Sequence, residues 1–164
     1  MEFTDREFRN ALGLFPTGVA IVTTIAPDGT KVGMTVSSFN SVSLSPPLIL
    51  FSVGRSAKAF NVWGAAETYA VCLLREGQEE LASHFARSSN DKWVGLEPMV
   101  HNGFLHLPGA LAWLDCDSYA RHEGGDHLIL IGRVRAITVA DEEVHSRPLV
   151  FYKGRYRRLE TVPA

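Results

Sequence analysis

The chain has 164 residues, 46% of them hydrophobic, which is enough apolar material for the core of one ordinary domain. Its formal net charge of -2, with Lys and Arg spread along the sequence, provides no continuous basic stripe and argues against a nucleic-acid partner. The longest apolar runs, at 48–53 and 128–131, are far too short to cross a bilayer, and the start Met1-Glu2-Phe3-Thr4-Asp5-Arg6 lacks the basic and apolar stretches of a secretory signal, so a cytoplasmic location is expected.

Thr4 and Glu7 form a capping-box pattern, and Phe8, Leu12 and Phe15 recur at helical spacing, which predicts a helix over 5–14. Pro16 and Gly18 stop it. Residues 19–25 are rich in β-branched side chains and run into the turn signal Pro27-Asp28-Gly29, so a hairpin is expected with its return strand at 32–36. A further extended run, 48–53, follows the pair Pro46-Pro47, which cannot lie in a central strand. Ser56 is expected to cap a short helix carrying Phe60 and Trp63, with a strand at 68–74 and a helix at 78–86 after it. The stretch 91–109 contains Gly95, Pro98, Gly103, Pro108 and Gly109 and reads as a long loop, of the kind that often covers a site. Two long strands, 110–119 and 127–139, flank Gly124-Gly125-Asp126, and shorter ones at 149–152 and 155–159 turn at Gly154. About seven strands and few helices predict a mainly β, antiparallel fold: a single closed β unit with a few peripheral helices, undivided by any linker or repeat over 1–164. Cys72 and Cys116 each lie in an apolar, strand-like segment, which suits reduced core thiols better than a disulfide.

The segment Gly33-Met34-Thr35-Val36-Ser37-Ser38-Phe39-Asn40 puts small hydroxyl residues where a strand ends, leaving N–H groups and hydroxyls for a polar, planar ligand. Local capping is the plainer reading, and composition alone favours it. Ser52, Arg55, Ser56 and Lys58 gather hydroxyls and cations near the predicted helix start, where unpaired N–H groups and the helix dipole attract phosphate; a solvated basic turn is an equal alternative. Arg87 and Lys92 offer charge-assisted contacts to the same phosphate or to a second nucleotide, though alone they read as surface residues. Gly124-Gly125-Asp126-His127 sets a glycine pair beside an acid and an imidazole, although a lone His is more often structural. His84, His101, His106, His122 and His145 show no recognised ligand spacing, so no metal site is expected. Neither a Gly-x-Gly-x-x-Gly turn, a Walker loop nor a Gly-x-Ser-x-Gly elbow occurs, which excludes Rossmann-type nucleotide binding and serine-hydrolase chemistry.

Taken together, Phe15-Pro16-Thr17-Gly18-Val19, Thr35-Val36-Ser37-Ser38-Phe39, Ser43-Leu44-Ser45-Pro46-Pro47-Leu48, Phe85-Ala86-Arg87, Asp91-Lys92, Gly125-Asp126-His127 and Phe151-Tyr152-Lys153-Gly154-Arg155-Tyr156 resemble, in order and spacing, the short-chain flavin reductase family. Its members include the reductase components of two-component flavin-dependent monooxygenases, and the likeness covers nearly the whole chain. The resemblance implies a split β-barrel homodimer with FMN or FAD in a groove near the dimer interface. It also implies hydride transfer from NADH or NADPH to the flavin, and a separate monooxygenase served by diffusion of reduced flavin. By the same resemblance Gly33, Met34 and Thr35, with Ser37 and Ser38, hold the isoalloxazine, while Ser52, Val53 and Gly54 and the turn of Ser56, Lys58 and Ala59 hold ribityl and phosphate. Phe85, Arg87 and Lys92 complete the pocket, and His127 with the Tyr152-Lys153-Gly154 turn meets the nicotinamide nucleotide, His127 being the foremost functional candidate. Ser45 stands where the family usually has Asp, and Ala59 where a phosphate-facing Ser is frequent. Because the hydride chemistry belongs to the cofactors, no obligatory acid or base residue is expected. The rival readings are a flavin carrier without nicotinamide turnover, a pyridoxamine-phosphate-oxidase-like FMN-dependent oxidase of the same barrel superfamily, and a structural dimerisation domain.

Overall fold

The computed structural model describes residues 2–89, 92–141 and 147–160; the expectations resting on Asp91 and His145 lie outside the described residues. Helix α1 (Asp5–Leu12) begins as the capping box requires: Thr4 Oγ1 accepts the Glu7 N–H at 3.2 Å while the Thr4 N–H donates to Glu7 Oε2 at 2.8 Å. The helix ends short of the expected 14, and none of its residues is buried. Phe8, Leu12 and, beyond it, Phe15 stand exposed.

The short β1 (Thr17–Gly18) leads into the hairpin of β2 (Ala20–Ile25) and β3 (Lys31–Val36), whose turn places Gly29 at φ 83. A strand not expected from the sequence, β4 (Asn40–Leu44), then pairs with β5 (Pro47–Gly54). Its Asn-Ser-Val-Ser-Leu composition hides it, because an edge strand that buries almost nothing carries no apolar alternation. Helix α2 (Phe60–Ala65) starts later than expected: Ala59, not Ser56, is its N-cap, with no side-chain capping bond. β6 (Thr68–Leu73) and α3 (Glu79–Ala86) fall where the periodicity put them.

The stretch read as a long loop contains a hairpin of β7 (Met99–His101) and β8 (Phe104–His106). Asn102 at φ 50 and Gly103 at φ 85 form its two-residue turn, the Asn-Gly signal of a tight hairpin. The long strands β9 (Ala112–Gly124) and β10 (His127–Val139) follow, and β11 (Val150–Tyr152) and β12 (Arg155–Arg157) end the described chain.

All strand pairs are antiparallel, and the main sheet has seven strands in the order β3-β2-β6-β9-β10-β5-β4. Its outer strands β3 and β4 do not pair with each other, so the expected closed unit is instead an open, split-barrel-like sheet. β1, β11 and β12 make a small separate sheet.

Two clusters fill the interior. In one, Phe51 meets Trp63 and Tyr69 edge to face, with ring centroids 5.7 and 5.1 Å apart. The other gathers Ile21, Leu74, Phe85, Leu107 and Leu149. Cys72 and Cys116 are free and buried, as expected, and desolvation pushes both thiols up to about 12. Among the described residues no helix is long and apolar enough to cross a membrane.

Candidate functional site

A cleft of about 470 Å³ opens between the edge strand β3, the end of β5, the turn before α2 and the segment after α3. That volume falls in the range of small-molecule sites. Its wall at β3 depends on a missing side chain. A Cβ on Gly33 would stand 2.5 Å from the Phe85 ring and 3.0 Å from Trp93, so only glycine lets the strand lie against α3. Lys92 holds the same junction, its ammonium donating to the Phe85 carbonyl at 2.8 Å and to the Gly33 carbonyl at 3.3 Å. A lysine on the last carbonyls of a helix also complements the dipole. Partial burial pulls the Lys92 pKa below its ordinary value.

Of the residues selected from sequence, Gly33, Met34, Gly54, Ser56, Lys58, Ala59, Arg87 and Lys92 line this cleft together. The others stand behind or beside it. The Phe85 side chain is fully buried and forms the floor beneath Gly33 rather than a lining surface. Val53 points wholly into the core. The Thr35 hydroxyl donates to the Ala82 carbonyl of α3 at 2.7 Å, and the Ser38 hydroxyl accepts the Ser52 N–H at 3.0 Å, so these groups brace strands. Ser37 is exposed beyond the end of β3. Tyr152, Lys153 and Gly154 turn between β11 and β12, where the Lys153 N–H donates to the Gly13 carbonyl at 2.9 Å; they do not line the cleft.

His127 sits at the rim. It is the register partner of Gly54, and a Cβ on Gly54 would lie 3.5 Å from its Nε2. The ring is fixed through Nδ1, 2.7 Å from Asp126 Oδ1; that hydrogen bond and the imidazole charge hold the Asp126 carboxyl below its ordinary pKa. Arg55, read from sequence as a phosphate contact, is engaged elsewhere. Its N–H donates to the Asp126 carbonyl at 2.9 Å, its Nε to the Gly125 carbonyl at 3.3 Å, and its guanidinium pairs with Glu123 and lies over the Phe60 ring. Arg55 therefore clamps the turn carrying His127 onto the start of α2.

Sequence reasoning passed over Thr30, Lys31, Ser88, Ser89 and Trp93, all of which line the cleft. The Arg87-Ser88-Ser89 run directly after a helix was a readable signal; Lys31, on an edge strand, carried none. Lys31, Lys58, Arg87 and Lys92 with Ser56, Ser88 and Ser89 make a donor set suited to phosphate, and Met34, Val62 and Trp93 supply apolar surface for a planar ring. The residues present thus fit a phosphorylated, planar ligand.

Residues 12–160 match the family model described as "Flavin reductase like domain". A "Flavin reductase" of Pseudomonas putida is 41% identical over 150 residues, spanning 91% of this chain and 86% of that protein. "Flavin-dependent monooxygenase, reductase subunit HsaB" of Rhodococcus jostii (strain RHA1) is 39% identical over 166 residues, spanning 97% of this chain and 82% of that one. Among solved structures, the NADH:FAD oxidoreductase SgcE6 of Streptomyces globisporus C-1027, in complex with NAD and FAD fragments, superposes with a TM-score of 0.87 at 37% identity, covering 98% of each chain.

Proposed function

Since the chain belongs to the flavin reductase like domain family, we propose that it is an NAD(P)H:flavin oxidoreductase that reduces FMN or FAD and supplies reduced flavin to a separate monooxygenase. The observation that carries this reading is the cleft itself: four cations and four hydroxyl residues beside apolar surface, on a chain whose relatives carry flavin reductase names. We take residues 1–164 to act as one such domain.

When both nucleotides are bound, the nicotinamide supplies a hydride and the flavin accepts it. The protein's part is placement. Gly33 and Met34, continued by the strand end of Thr35, Ser37 and Ser38, take the ring end. The turn of Ser56, Lys58 and Ala59, reached from Ser52, Val53 and Gly54, faces Arg87 and Lys92 across the cleft and takes the phosphate. His127, oriented by Asp126 and seated on Gly54, contacts the incoming nicotinamide nucleotide and holds it over the cleft mouth. No side chain has to give or take a proton for a hydride to move.

The same reading makes the protein a homodimer. Phe8, Leu12 and Phe15 leave an apolar face exposed among the described residues, and Leu44 on β4 is 95% exposed. Uncovered apolar surface of this kind marks an interface, and a second copy covers it. The Tyr152-Lys153-Gly154 turn, remote from its own chain's cleft lining, then has a site to serve across that interface.

The test is nicotinamide oxidation by the purified protein, followed by absorbance, with NADH or NADPH and with FMN, FAD or no flavin. Rapid oxidation that requires added flavin is the expected result. Tight flavin binding without oxidation makes the protein a carrier instead, and absence of both overturns the assignment.

A further inference from the structure

We propose that His101, His106 and Asp115, none of which lines the cleft, form a binding site for a first-row divalent cation of the zinc class. Each offers one ligand atom, and the three atoms lie within 4.8 Å of one another. Two ligands on one tetrahedral zinc ion stand about 3.4 Å apart, given metal–ligand bonds of about 2.0–2.2 Å. Small side-chain rotations therefore bring all three into a first coordination sphere.

The backbone makes the cluster. The β7–β8 register pairs His101 with Phe104 and Met99 with His106, so both imidazoles project from one face of the hairpin as diagonal neighbours. Their ring centroids are 5.6 Å apart. β9 contributes Asp115, whose Oδ1 lies 2.6 Å from His106 Nε2. The His106 ring stacks on Trp113, whose indole N–H donates to the Leu107 carbonyl at 2.8 Å, so the imidazole is held in place before any ion arrives.

Electrostatics points the same way. Asp115 is almost fully buried, yet among the described residues His106 is the single hydrogen-bond partner of its carboxylate. A carboxylate has about four acceptor positions, and a buried one with a single donor is poorly compensated. A cation between the carboxylate and two imidazoles would compensate it. Binding uses the Nε2 lone pair of His106, so the proton there moves to Nδ1 or is released to solvent. His101 is exposed and gives the ion a way in, with a coordination position left for water. Two imidazoles and one carboxylate suit zinc, cobalt or nickel better than magnesium or calcium. The bound ion would tie the β7–β8 hairpin to β9. Spacing in the sequence misses this, because one ligand comes from a separate strand.

The full chain, freed of metal with a chelator, is titrated with Co²⁺ while visible d–d absorption is followed, then competed with Zn²⁺, with Mg²⁺ as control. The expected result is one ion per chain, displaced by Zn²⁺ and not by Mg²⁺. His101→Ala, at an exposed position, weakens binding at least about tenfold, while His122→Ala, at another exposed histidine, leaves it unchanged. Zn²⁺ should raise the thermal midpoint of the wild type and of His122→Ala by the same amount and that of His101→Ala by less. Absence of d–d bands, or equal affinity in the wild type and His101→Ala, overturns the proposal and leaves His106 and Asp115 as a hydrogen-bonded core pair. These readouts need neither flavin nor nicotinamide, so the metal site and the reductase assignment fail independently.

Discussion

Two histidine–aspartate pairs with nearly equal separations, 2.7 Å for His127 with Asp126 and 2.6 Å for His106 with Asp115, sit in opposite surroundings. The side chains of the first are 47% and 93% exposed, and those of the second 5% and 5%. Solvent screens the first pair and competes for its hydrogen bond, so it contributes little to holding the fold and is free to meet a ligand. The second has given up its hydration and depends on its partner. The same two residue types thus stand open to solvent at the rim, where we propose that they meet a nucleotide, and closed off in the interior, and accessibility separates the two.

The largest separation between the pairs should come from deleting each acid in metal-free protein. Asp115→Ala strands a buried imidazole and is expected to cost about 2 kcal/mol of unfolding free energy, the scale for leaving a buried polar group without its hydrogen-bond partner. Asp126→Ala should leave the urea midpoint where it was. Equal losses in the two variants would show that burial is not what separates them. The thiols near Asp115 sharpen the contrast: with Cys72 and Cys116 pushed up to about 12, a thiol reagent at mildly basic pH should label neither until the protein unfolds. Since both folded pKa values lie above the unfolded one, the associated stability is present below the ordinary thiol value and declines as pH rises towards 12.

The next effect is kinetic. His127→Ala should raise the KM for the nicotinamide nucleotide about tenfold, equivalent to about 1.4 kcal/mol, with the flavin dissociation constant and the thermal midpoint little changed. A loss of flavin affinity equal to the loss for nicotinamide would place His127 on the flavin phosphate instead. Loss of stability on the Asp115 scale would make the rim pair structural after all.

Most of the fold was legible because its signals are local. Thr4 and Glu7 announce α1, and the β-branched run before Pro27-Asp28-Gly29 announces the β2–β3 hairpin. β4 was not legible, since an exposed edge needs no alternation, and the β7–β8 hairpin was lost among glycines and prolines despite its Asn102-Gly103 turn. The openness of the sheet depends on which strands fail to pair, and no single segment encodes that. At the site, cationic and small residues were found by type, but their direction was not. Phe85 and Val53 face inward, and Arg55 answers to Gly125 and Glu123, because packing across the sheet decides which side of a strand or turn meets the cleft. His106 and Asp115 had no sequence signal at all, their meeting being a product of β8 folding against β9's neighbours.

The smallest effect belongs to the exposed pair and appears only in acid. The hydrogen bond from His127, followed by the imidazole charge, holds the folded Asp126 pKa below the ordinary 3.8. A carboxyl with a depressed folded pKa binds fewer protons than its unfolded counterpart, so its contribution is present above the unfolded value and disappears as pH falls through the folded one. Asp126 is fully exposed, so that contribution is slight. Urea midpoints of the wild type and Asp126→Asn, measured from neutral pH down through 3.8, should differ at most slightly at the top and converge at the bottom. A gap that persists once the wild-type Asp126 carboxyl is protonated cannot come from its charge. It would instead mean that the amide disturbs the Arg55 clamp on the same turn, where the Arg55 N–H reaches the Asp126 carbonyl at 2.9 Å. The rim pair would then share the structural duty assigned to the buried one.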